Sequence, residues 1–212
     1  MAPNLTLYAD SAWMSPWVFH VLVALEEKRL PYTIEQIPLP IQEPLRSELK
    51  AKAILGKVPL LVHDGTWITE SLAISEYLAE TFPTPAHPRL YPANLVERAR
   101  ARQVMSYLRT GLFALRNDRP TSFVFGPPAP APLSDKAKED AADLVGVASA
   151  LVKPGATQMF AEWSIADADL ALCLMRMVAC QDPMPEHLTK YALAQWERPS
   201  IRAFLAHVPT SR

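Results

Sequence analysis

The chain is predicted to be an α/β layer pair over residues 1–82 followed by an all-α domain over residues 93–212, and three observations predict this. The first part alternates strand and helix patterns and carries a hairpin signal at Asp64-Gly65. Pro83, Pro85, Pro88 and Pro92 then fall within ten residues, as in a linker over residues 83–92. Beyond them the segments read as helices separated by a second proline cluster, Pro120 to Pro132.

Leu5-Thr6-Leu7-Tyr8 alternates as a first strand, and Ala9 to Met14 reads as a loop. Ser15-Pro16 opens a helix with serine as N-cap and proline as first helical residue. Val18, Val21, Leu22 and Leu25 follow at i, i+3, i+4 and i+7, so one face packs on the sheet, and the helix ends near Glu26 to Arg29. Tyr32, Ile34 and Ile37 form a second strand, and a proline-broken, partly helical segment runs from Pro38 to Leu55.

The stretch Gly56 to Tyr77 reads strand, turn, strand, helix, with Thr69 or Ser71 placed to cap the helix. Pro59 cannot donate to a ladder, so it heads its strand, where a tight bend can make its peptide bond cis. Such a bend turns the backbone of Val58 outward, where an extended peptide can pair with it as an added strand. Glu70-Ser71 stands at the helix start, where orphan N–H groups and the dipole favour a carboxylate. Ser71 adds a hydroxyl and Glu70 can balance an ammonium, so the hairpin suits a small zwitterionic peptide.

In the second part, residues 93–119 read as one helical run rich in arginine, and a helix follows over residues 134–153. Ser164-Ile165-Ala166-Asp167 is a capping-box pattern ahead of an apolar helix through Val178, a folding signal rather than a catalytic one. Shorter helices over residues 186–194 and 199–206 complete the domain.

Composition narrows the function classes. A net charge of −1 argues against nucleic-acid binding through phosphate attraction. No apolar run approaches a membrane span and no leader pattern opens the chain, so a cytoplasmic location is expected. Cys173 and Cys180 are seven residues apart in a helical stretch. That spacing, about 10 Å at a helical rise, is too wide for a disulfide. Neither lies in a CxxC motif, and the five histidines show no ligand spacing, so no metal is expected.

In their order along nearly the whole chain, Val58-Pro59, Glu70-Ser71, the proline linker, the helical second part and the Ser164 to Asp167 box resemble the glutathione transferase family. Trp13-Met14-Ser15-Pro16-Trp17 is similar to the WxSPF pattern of its serine-type members, and Arg116 to Phe125 to a bacterial YfcF-type branch. The resemblance implies a thioredoxin-like N-terminal domain, an all-α C-terminal domain, and glutathione as co-substrate with no bound cofactor. It implies that Ser15 donates to the glutathione sulfur, Val58 beside Pro59 pairs with the cysteinyl backbone, and Glu70 and Ser71 hold the γ-glutamyl end.

Lys57 then neighbours that end or the glycyl carboxylate. Pro44 stands where some serine-type members place a lysine for that carboxylate, so Gln42 is the expected substitute. An electrophile pocket lined by Trp13, Met14, Tyr107 and Arg119 is implied, as is a homodimer. The SSCxxR pattern of maleylacetoacetate isomerases is missing over residues 11–20, which argues against that isomerisation, and glutathione-dependent thiol reduction usually wants a cysteine where Ser15 stands. The expected activity is glutathione transfer to small hydrophobic electrophiles, with peroxide reduction as a companion. A non-catalytic glutathione-binding protein on the same fold is the alternative.

Overall fold

A computed structural model describes residues 4–209. Residues 1–3 and 210–212, the outer ends of the two expected domains, lie outside the described residues. The chain divides into two compact units, residues 4–90 with 203–209, and residues 91–202.

The first unit holds β1 (Leu5–Asp10), α1 (Pro16–Glu27), β2 (Thr33–Ile37), α2 (Leu45–Ala53), β3 (Leu60–His63), β4 (Thr66–Thr69) and α3 (Ser71–Thr81). The strands form one sheet in the order β2-β1-β3-β4, with β1 parallel to β2 and the other pairs antiparallel. This is the expected thioredoxin-like arrangement. The hairpin turn forms at Asp64 and Gly65, whose φ values of 47° and 83° are both positive, as a tight two-residue turn requires. β1 runs two residues further than the alternation suggested, because Ala9 and Asp10 pair with Gln36 and Ile37 of β2.

The start of α1 is as expected: Ser15 is the N-cap, its Oγ accepting the Val18 N–H at 3.3 Å, and Pro16 follows. Every residue from Val18 to Leu25 is buried, so this helix is the centre of the unit rather than a one-sided cover. Two polar ties join α1 to α3. His20 Nε2 lies 2.7 Å from Ser75 Oγ, and Lys28 Nζ donates to the Phe82 carbonyl at the α3 C-terminus at 2.7 Å. Burial, with Arg89 nearby, holds the Lys28 ammonium below its usual pKa. A second apolar cluster joins Leu49 and Ala53 of α2 to Ile37 and Leu60 of the sheet, and Val58 packs against it.

The second unit holds α4 (Leu95–Thr110), α5 (Phe113–Asp118), α6 (Ser122–Phe125), α7 (Asp135–Leu151), α8 (Ile165–Ala179), α9 (Glu186–Trp196) and α10 (Pro199–Leu205), whose last residues belong with the first unit. The single helix expected over residues 93–119 is two, because Leu112 takes a left-handed conformation (φ 60°) after Gly111 and turns the chain. A short helix, α6, also interrupts the second proline cluster.

Residues 165–177 of α8 are all buried, so it forms the core of this unit. Its start carries the expected box: the Asp167 carboxylate reaches back to the Ser164 N–H at 2.9 Å and also accepts from Met159 N and Tyr191 Oη. Burial nonetheless pushes the Asp167 carboxyl above its usual pKa, against those donors.

Cys173 is buried and Cys180 half-buried, and both are free. No helix among the described residues is long and apolar enough to cross a membrane.

Candidate functional site

The loop from β1 into α1 positions Ser15. Trp13 has φ 56° and its N–H donates to the Asp10 carbonyl at 3.1 Å, closing a turn. Asp10, 2 % exposed, then takes two amides on its carboxylate: Met14 N on Oδ2 at 2.7 Å and Ser15 N on Oδ1 at 3.2 Å. Ser15 itself is half-buried. Its N–H is held by Asp10 and its oxygen receives the Val18 N–H, so the hydroxyl proton is what Ser15 has to offer a ligand.

The second edge of the site is the approach to β3. The Val58-Pro59 peptide bond is cis. The ladder of β3 begins at Leu60, paired with Tyr8 and Thr69, so the backbone of Val58 stands outside it. Beside this bend lies a pocket of about 350 Å³ lined by Leu39, Pro40, Ile41, Arg46, Gly56, Lys57 and Val58. Its walls are apolar and its cations are Arg46 and Lys57. A Cβ at Gly56 would lie 2.6 Å from the Arg46 carbonyl oxygen, so glycine there lets the first turn of α2 close on the loop. Gln42 does not line this pocket; its side-chain amide donates to the Pro40 carbonyl at 3.0 Å.

The third edge is the start of α3. Neither Thr69 nor Ser71 caps it, a departure from expectation: the N-cap is Glu70, with φ 71° and no side-chain cap bond. The Thr69 hydroxyl is directed instead to the Ala53 carbonyl at 3.0 Å. Leaving the extended strand through a positive φ at Glu70 makes Ser71 the first helical residue. The N–H groups of the first turn thus lack a capping side chain beside the exposed Glu70 carboxylate, an arrangement suited to an anion next to a cation. Underneath, Ser75 Oγ donates to the Ser71 carbonyl at 2.9 Å and meets His20, so a buried polar chain holds this turn.

Ser15, Lys57, Val58, Pro59, Glu70 and Ser71 all belong to the first unit, as do Trp13 and Met14. Trp13 is 2 % exposed, with the His207 ring stacked on it at 4.2 Å and Phe204 edge-on at 5.5 Å, so most of its surface is packed. Met14 is half-buried.

Tyr107 and Arg119 belong to the second unit. Arg119 is bound in both arms to Asp182, Nε to Oδ2 at 2.7 Å and Nη2 to Oδ1 at 2.8 Å, and also donates to the Ala131 carbonyl. Asp182 holds its guanidinium above the usual pKa. The Tyr107 hydroxyl is buried with no hydrogen-bond partner among the described residues, and burial, with Asp143 nearby, pushes its pKa up to about 12.

Asp10 and Arg46 are absent from the sequence-based site. Asp10 carries a weak local signal, a carboxylate four and five residues ahead of the amides it binds. Arg46 has none, since only the fold brings it beside Lys57.

Comparison with known proteins adds an independent line. The model of the glutathione S-transferase C-terminal domain matches residues 94–209, and that of the N-terminal domain matches residues 14–81. A probable maleylacetoacetate isomerase of Caenorhabditis elegans is 38% identical over 107 residues, 50% of this chain and 48% of that protein. Glutathione S-transferase U13 of Arabidopsis thaliana is 33% identical over 114 residues, 54% of this chain and 49% of that protein. In these matches the chain spans about half the length of the curated relatives. Among solved structures, a Burkholderia glutathione transferase homolog with bound glutathione superposes with a TM-score of 0.78 at 30% identity, covering 97% of each chain.

Proposed function

This chain belongs to the glutathione S-transferase family, and on that premise we propose that it transfers the glutathione thiolate to small hydrophobic electrophiles and, as a companion activity, reduces organic hydroperoxides. The observation that carries this is the uncapped start of α3, where first-turn amides, the Ser71 hydroxyl and the exposed Glu70 carboxylate offer matched contacts for the γ-glutamyl carboxylate and ammonium. The main chain of Val58, outside the β3 ladder, pairs with the cysteinyl residue as an added strand beside Pro59. Arg46 and Lys57 take the glycyl carboxylate in the pocket they line, the part first expected of Gln42.

With those ends fixed, the sulfur is presented to Ser15 at the N-terminus of α1. A free thiol of pKa about 8.5 is only about 3% ionised at pH 7. Lowering that pKa by about two units raises the thiolate about 25-fold, while the accompanying loss of nucleophilicity takes back about eightfold. Thiolate stabilisation by one hydroxyl therefore yields only about threefold. The larger share comes from holding the electrophile against the sulfur, which replaces a bimolecular encounter.

In conjugation, the sulfur lone pair forms the new bond to carbon and the halide departs with its electrons. In peroxide reduction, the sulfur takes one peroxide oxygen, the alcohol leaves, and a second glutathione releases water and the disulfide. Met14, half-buried and next to Ser15 in the chain, is proposed on the acceptor side of the first unit. Trp13 and Arg119 serve mainly by packing and by the Asp182 pair. The same proposal includes a homodimer and a cytoplasmic location.

The test is turnover of a chloronitrobenzene and of an organic hydroperoxide with glutathione, for wild type and Ser15→Ala. Wild type is expected to turn over at least one, with a loss of about threefold in the variant, the share that thiolate stabilisation supplies. No turnover of either by wild type overturns the proposal, and turnover of maleylacetoacetate alone moves the activity to that of the isomerase relatives.

A further inference from the structure

Three features of the first unit meet at one side chain. Asp10 ends β1 and is 2 % exposed, yet its hydrogen bonds come from backbone amides rather than from a lysine or arginine. Its two oxygens take two successive amides, Met14 N at 2.7 Å and Ser15 N at 3.2 Å. Its own carbonyl takes the Trp13 N–H at 3.1 Å, so one residue binds three consecutive amides of the loop. A buried carboxylate is expensive in desolvation, and a single amide would be satisfied by a neutral oxygen. Here the two amides are divided between the two oxygens of one carboxylate, so each is held along its own direction.

The bonds have a directional consequence. Oδ1 holds the Ser15 N–H, and the Ser15 oxygen receives the Val18 N–H. The hydroxyl proton is thereby turned away from the loop and the helix end. We propose that Asp10 is the positioning residue that fixes the direction in which Ser15 presents its hydroxyl to the glutathione sulfur. This rests on the role given to Ser15 above. Asparagine at position 10 keeps one oxygen but turns an NH₂ toward the other amide, so it loosens one of the two amides, Met14 N or Ser15 N, while preserving volume.

The test is a double-mutant cycle of Asp10→Asn and Ser15→Ala, with kcat and KM for glutathione measured in all four forms and thermal melts confirming that each is folded. If Asp10 acts through Ser15, D10N lowers kcat by about two- to threefold in the wild-type background with KM for glutathione within about 1.5-fold, and leaves kcat within about 1.3-fold once Ser15 is alanine. Equal losses in both backgrounds, or no loss in the wild-type background, overturn the inference. An unchanged kcat in S15A alone removes the role of Ser15 and the inference with it, which separates the two failures. If D10N does not fold, Asp10→Ser, which keeps one acceptor in a smaller side chain, is put through the same cycle with the same criteria.

Discussion

The imidazole of His20 and the hydroxyl of Ser75 meet at 2.7 Å between α1 and α3, both residues fully buried. Ser75 passes the contact on to the Ser71 carbonyl, beneath the turn proposed to hold the γ-glutamyl end. Replacing His20 with alanine removes a large buried group and leaves the Ser75 hydroxyl short of a partner. A loss of about 2–4 kcal/mol in unfolding free energy is expected from urea titration. Ser75→Ala, which empties far less volume, is expected to cost about 1–2 kcal/mol.

Arg46 and Gly56 make a paired prediction. Arg46→Ala is expected to raise KM for glutathione about tenfold with kcat within about twofold, as loss of a charge-assisted contact to a non-reacting carboxylate should. Gly56→Ala places a Cβ at 2.6 Å from the Arg46 carbonyl oxygen, so α2 must shift and KM should rise in the same way. Initial-rate kinetics at varied glutathione read both.

Arg119 and Asp182 form a buried pair with side chains 4% and 9% exposed. Asp182→Ala leaves the guanidinium buried without its carboxylate, and denaturant unfolding should show a loss of about 3–5 kcal/mol. Adding Arg119→Met should recover part of it, because the uncompensated charge is then removed.

The Tyr107 hydroxyl is buried without a partner, so Tyr107→Phe should leave stability unchanged or raise it by about 1 kcal/mol near neutral pH. Its pKa in the folded chain, about 12, lies above the ordinary value of 10. The native state therefore keeps a proton that the unfolded chain loses. Wild type should lose stability relative to Y107F as pH rises from about 10 towards 12, and not below that range. Thermal melts of both proteins across alkaline pH measure the difference.

What the sequence made legible was mostly local chemistry. Asp64-Gly65, Ser15-Pro16 and Val58-Pro59 each dictate a backbone shape within two to four residues, and each shape is present. The α3 cap was misread because Thr69 and Ser71 are good capping residues by type. The helix instead starts from the positive φ of Glu70, which residue identity gives little reason to expect. The break between α4 and α5 is similar: residues 93–119 read as one helical run, and the left-handed Leu112 divides it. Asp10 and Arg46 belong to a third kind. Their roles depend on which backbone amides or charges lie across a turn, information carried by the folded loop rather than by spacing along the chain.

The proposal that the first unit grips glutathione and directs its sulfur to Ser15 is tested most directly by titrating the peptide into wild type and Ser15→Ala, reading heat for binding and ultraviolet absorbance for thiolate. Both proteins should bind glutathione with similar affinity, and the thiolate signal at neutral pH should appear in wild type and be largely lost in the variant. Absence of binding by wild type, or an undiminished thiolate signal without the hydroxyl, would contradict it.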